Sequence, residues 1–138
     1  MSIDINGLGI TSDAQLSKIC KDLGIDLKFI GFEEDLKNIG NGSYILNIGN
    51  NRQGTHWVCC YCYKNELFYF DSFAVGPNDE LIKLAKLHKL KLAWNNKEQF
   101  QMLDEKLCGI WCVYFLYHMT NGAGPLADRF KSFCDLFD

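Results

Sequence analysis

The chain has 138 residues, 48% hydrophobic and 14% aromatic, with 17 acidic and 14 basic side chains for a formal net charge of −3. A chain of this size buries roughly 70% of its unfolded surface, so one domain over residues 1–138 is expected, and a charged fraction of 22% excludes disorder. Slight acidity with no Lys/Arg block excludes the electrostatic footprint of a dedicated nucleic-acid binder.

The opening Met-Ser-Ile-Asp-Ile-Asn-Gly has neither a basic nor an apolar signal region, so no secretory leader is expected. Thr11-Ser12-Asp13 then offers N-cap groups, and Leu16, Ile19, Cys20 and Leu23 recur at three- and four-residue spacing before Gly24. That pattern predicts an amphipathic helix with both ends marked. Residues 24–42 read as a connection with one short strand near Leu27 to Ile30, and Asn41-Gly42-Ser43 as a turn rather than a glycosylation acceptor. From Ser43 the residues become β-branched and aromatic, predicting neighbouring strands at 44–48, 56–63 and 67–71. Lys64-Asn65-Glu66 is a short polar break, which makes the last two a hairpin.

Pro77-Asn78-Asp79-Glu80 starts a second helix, and Leu81, Ile82, Leu84, Ala85 and Leu87 give it an apolar face to about Lys89. Lys91 to Trp94 and Glu98 to Leu103 predict two more strands. Leu107 to Tyr117 is an uncharged run of 11 residues, too short for a bilayer span of roughly 18, so it reads as a buried helix opened by Cys108. Gly122, Gly124 and Pro125 end it, and a last helix is expected from Leu126 to Phe137. The expected class is α+β, a central mixed β-sheet flanked by helices.

Seven cysteines, an odd number with Cys59 and Cys60 adjacent, suit a reducing intracellular compartment better than a disulfide framework. Cys59, Cys60 and Cys62 lack a Cys-x-x-Cys knuckle and a matching histidine pair, so core packing is expected of them and no metal site. Lys83, Lys86, Lys89 and Lys91 read as a solvated face.

Cys108 is the candidate nucleophile. At a helix N-terminus, unpaired N–H groups and the macrodipole favour thiolate over thiol, and Gly109 has no side chain to obstruct a substrate carbonyl. The base must be His56, His88 or His118. His118 lies ten residues along the same helix, about 15 Å away, and His88 belongs to the lysine-rich face, which leaves His56 at a strand start. An imidazole base needs a carboxylate to fix its tautomer, and Asp71, at the end of the paired strand, is the candidate: counted from the break near Asn65 its register with His56 is off by a few residues, within side-chain reach if a bulge or sliding intervenes. Gln101, seven residues before Cys108, and Gln99 are the candidate oxyanion donors beside the Cys108 N–H. The chain order His, Asp, Cys excludes a papain-like arrangement, and the caspase Gln-Ala-Cys-x-Gly signature is absent.

Three segments carry a resemblance: Gly54-Thr55-His56-Trp57-Val58, Tyr69-Phe70-Asp71-Ser72-Phe73, and Gln101 followed by Leu107-Cys108-Gly109-Ile110-Trp111-Cys112. Together they resemble the adenain/Ulp1-like cysteine proteases over about residues 43–120, and look more like the viral and virus-like transposon branch than the SUMO protease branch. The resemblance implies an adenain-like fold, with His56 as general base, Asp71 as its orienter, Cys108 as nucleophile, Gln101 as oxyanion donor, and Trp57 beside a narrow glycine-accepting tunnel. It implies a thiol endopeptidase that needs no metal and cleaves viral or virus-like precursor proteins at glycine-containing sites in a virion or host cell. A SUMO-type deconjugase and a non-catalytic interaction module of the same fold are the alternatives. Adenovirus-type enzymes of this family use an activating peptide or nucleic acid, a partner class the resemblance extends to this chain.

Overall fold

The computed structural model describes residues 12–48, 56–72, 76–95 and 108–135. In chain order they form α1 (Asp13–Asp22), β1 (Leu27–Phe32), a 3-10 turn at Glu33–Asp35, β2 (Gly42–Asn47), β3 (Trp57–Tyr63), β4 (Glu66–Phe70), α2 (Asp79–Leu87), β5 (Lys91–Trp94), α3 (Cys108–Asn121) and α4 (Leu126–Asp135). The five strands lie side by side in sequence order. The outer pairs, β1 with β2 and β4 with β5, are parallel, and the two inner pairs are antiparallel. The α+β class and the mixed sheet are therefore those the sequence predicts.

Alternation along β3 and β4 divides the core into two layers. Trp57, Cys59, Phe68 and Phe70 face α1, α3 and α4, while Val58, Cys60, Cys62, Leu67 and Tyr69 face Leu81 and Ala85 of α2. Between sheet and helices the aromatic rings interlock. Phe115 of α3 stacks on Phe70 at 5.0 Å between centroids and meets Phe133 of α4 edge-on at 5.3 Å. Such pairs add about 0.5–1.5 kcal/mol beyond their area burial. Because α3 is covered on most sides, its lack of charge from Cys108 to Tyr117 costs nothing in solubility and gains burial.

Local chemistry sets the helix boundaries. Ser12 and Gln15 form a reciprocal capping box at α1, the Ser12 Oγ accepting from the Gln15 N–H at 3.2 Å and the Gln15 Oε1 from the Ser12 N–H at 2.8 Å. Gly24, at φ +73°, closes α1 with a Schellman pair, Ile25 N–H to Cys20 C=O and Gly24 N–H to Lys21 C=O. The same device ends α2, where Lys89 takes the left-handed conformation at φ +58°, which is why α2 stops at Leu87 although the apolar pattern carries on towards Lys89. The strand expected over Glu98 to Leu103, together with Gln99 and Gln101, lies outside the described residues, as do the last two positions of the helix expected to reach Phe137.

Candidate active site

The β3–β4 hairpin brings His56 and Asp71 together. Lys64 and Asn65 have φ of +49° and +68°, the double left-handed pattern of a type I′ two-residue turn, whose twist matches that of antiparallel strands. From this turn the register runs unbroken from Tyr63↔Glu66 to Cys59↔Phe70. Continued one step, it sets Asp71 opposite Val58, and His56 two residues further on the same face. Such diagonal neighbours lie within reach of an aromatic side chain. The His56 Nε2 stands 2.6 Å from the Asp71 Oδ1, so the side chains span the offset between the two positions. The backbone on the His56 side is tied as well, its carbonyl accepting the Ile48 N–H at 3.1 Å.

Asp71 is fully buried, one residue past the end of β4. Its N–H donates to the Asn95 Oδ1 at 3.0 Å, and its C=O accepts from the Asn95 Nδ2 at 2.7 Å. Asn95 follows β5 directly and is itself buried. Sequence reasoning missed it, because an asparagine after a short strand reads as a turn residue. Its place becomes visible only once α2 carries the chain across so that β5 lies parallel to β4.

Cys108 opens the described part of α3 and is 2% exposed. Its Sγ accepts the backbone N–H of Trp57 at 3.3 Å. With Nε2 of His56 committed to Asp71, Nδ1 is the ring nitrogen left for Cys108. Burial alone would push the His56 imidazolium down, but the hydrogen bonds to Asp71 and Cys108, with the charges on both, outweigh it and raise its pKa from the ordinary 6.5 to about 9. His56 therefore carries its proton at neutral pH.

Trp57, buried at 6% exposure, belongs to the core beneath the site. Gly109 is buried too, and a Cβ there would stand 3.1 Å from both terminal carbons of Leu16 and 3.3 Å from the Trp57 Cδ1. The space freed at Gly109 is thus filled by packing from α1 and β3. His118 is engaged elsewhere: its Nε2 lies 3.0 Å from the Arg129 carbonyl and 3.1 Å from the Ser132 Oγ, tethering α3 to α4. Burial pushes Cys20 up to about 12, and Cys60 and Cys112 well above the usual thiol range. Among the described residues no group of three or more His, Cys, Asp or Glu side chains could hold a metal ion, and no helix is long and apolar enough to cross a membrane.

A thiol, an imidazole and a buried carboxylate, contributed by α3, the residue before β3 and the residue after β4 and linked by hydrogen bonds, make an arrangement that can move a proton off sulfur and steady the charge left on the ring. Among solved structures, the ASFV pS273R protease superposes with a TM-score of 0.55 at 12% identity, over 96% of this chain and 69% of that one. The likeness is one of fold. No family model matches the sequence, and no curated protein matches it.

Proposed function

We propose that the chain is a thiol endopeptidase of adenain-like type, in which Cys108 attacks a peptide carbonyl, His56 moves the proton and Asp71 orients His56. The 2.6 Å contact between the His56 Nε2 and the Asp71 Oδ1, with Cys108 hydrogen-bonded to the same imidazole, is the observation that carries this reading, and the protease-like fold supports it. The Cys108 proton rests on His56 before the substrate arrives, and the thiolate sulfur bonds to the carbonyl carbon. The tetrahedral oxyanion collapses to a thioester as His56 protonates the departing amine, a role matched by an imidazole that holds its proton near neutrality. Water then gives a proton to His56 as its oxygen bonds to the thioester carbon, and the C–S bond breaks to release the acid, leaving the thiolate beside the protonated ring. Gln101, with Gln99 as the alternative, is proposed as oxyanion donor alongside the Cys108 N–H.

The proposed substrates are viral or virus-like precursor proteins cut at glycine-containing sites, in a virion or host cell, and an activating peptide or nucleic acid is a proposed partner. Incubation with Gly-Gly and Gly-x-Gly peptides, followed by mass spectrometry, tests the activity. Cleavage by the wild-type chain and its loss in a folded Cys108→Ala variant is the expected result; cleavage retained in that variant overturns it. Labelling of Cys108 by a ubiquitin-like protein tipped with a vinyl sulfone would identify a deconjugase instead. Stoichiometric zinc with an unreactive Cys108 would identify a non-catalytic module.

A further inference from the structure

Asp71 follows Phe70, the last residue of β4, whose pairing runs to Cys59↔Phe70 with β3 and to Tyr69↔Trp94 with β5. Asp71 is fully buried, and the Asn95 side chain meets both its main-chain groups, accepting from the N–H at 3.0 Å and donating to the C=O at 2.7 Å. Only a carboxamide offers one donor and one acceptor at this spacing from so short a stem. We propose that Asn95 is a positioning residue for the Cys108, His56 and Asp71 array, its amide extending the β4–β5 ladder by one residue and thereby holding the Asp71 carboxylate against the His56 ring. This rests on the catalytic reading above and adds a residue to it.

The consequence follows from the line of contacts. His56 is faced by Asp71 from the end of β4 and by Cys108 from the start of α3. If the Asp71 backbone drifts, the carboxylate moves with it, the ring loses its orientation, and the sulfur loses a correctly aimed base. A misplacement of about 1 Å in such a group costs roughly a hundredfold in rate. Asn95→Asp keeps the volume but loses the donor and sets an oxygen against the Asp71 carbonyl.

The test follows iodoacetamide labelling of Cys108 by mass spectrometry from pH 5 to 10, in the wild type and in H56A, D71N, N95D and D71N/N95D. The expected results are slowing of about tenfold or more in N95D at neutral pH, in the same sense as D71N, and little further loss when N95D is added to D71N, since residues acting through one another are not additive. Wild-type rates in N95D, or its full cost repeated on top of D71N, overturn the inference while leaving the catalytic reading intact. Wild-type rates in H56A overturn the catalytic reading itself. Amide exchange of the wild-type chain does not depend on any variant folding: the Asp71 N–H is expected among the slowly exchanging amides, and rapid exchange there overturns the clamp.

Discussion

Gly109→Ala would press on the packing beneath the candidate nucleophile. The new Cβ would lie 3.1 Å from the Leu16 Cδ1 and Cδ2 and 3.3 Å from the Trp57 Cδ1, inside the separation of about 3.5–4.0 Å at which carbon atoms pack best. Leu16 is completely buried and has little room to turn away. Trp57 is held by the β2–β3 ladder, where it pairs with Asn47, and its N–H is the donor to Cys108. Overpacking of this kind costs typically 1–3 kcal/mol, against up to about 1 kcal/mol regained from the helix propensity of alanine over glycine. The net expectation is a loss of up to about 2 kcal/mol, or several degrees in Tm at this chain length. Thermal unfolding measures the first effect, and the iodoacetamide rate at Cys108 the second, which should fall as the Trp57 donor is displaced. Leu16→Ala in the Gly109→Ala background should cost less than in the wild type, because it relieves part of the clash. A Tm raised by Gly109→Ala with an unchanged labelling rate would refute the packing argument.

Two further outcomes follow from the same geometry. Because the folded-state pKa of His56 is raised from 6.5 to about 9, its contribution to stability is fully present below about pH 6.5 and is lost as pH rises through 9. Urea unfolding should therefore show a decline over that window which Asp71→Asn flattens, and an identical decline in the variant would count against the His56–Asp71 contact. Phe115→Ala, which removes a fully buried ring stacked on Phe70 and edge-on to Phe133, should cost about 3–5 kcal/mol in chemical denaturation; a cost below about 1 kcal/mol would mean that this layer of the core repacks freely.

The secondary structure was legible where periodicity and end signals agree. The α1 pattern between Ser12 and Gly24 and the uncharged α3 run both appear as helices within a residue or two of expectation. The β3–β4 hairpin was legible from its polar break, although a type I′ turn with lysine and asparagine rather than Asn-Gly was not. The pairing of His56 with Asp71 could be foreseen only loosely, since sequence separation measures distance from the turn and not the diagonal reach that a shared face provides. Asn95 was illegible because its partners are main-chain atoms, which leave no mark in a sequence, and because the parallel placement of β5 depends on a crossover. Gly109 shows the converse: the absent side chain was read as clearance for a substrate, whereas Leu16, nearly a hundred positions away in the chain, occupies the space.

The most direct measurement is the NMR titration of the His56 imidazole in the wild type, in Cys108→Ala and in Asp71→Asn. A midpoint near 9 in the wild type that falls in both variants is the predicted result, since both partners hold the proton on the ring. A midpoint near 6.5 that neither substitution moves would mean that the thiol, the imidazole and the carboxylate do not act as one unit, and would contradict the account.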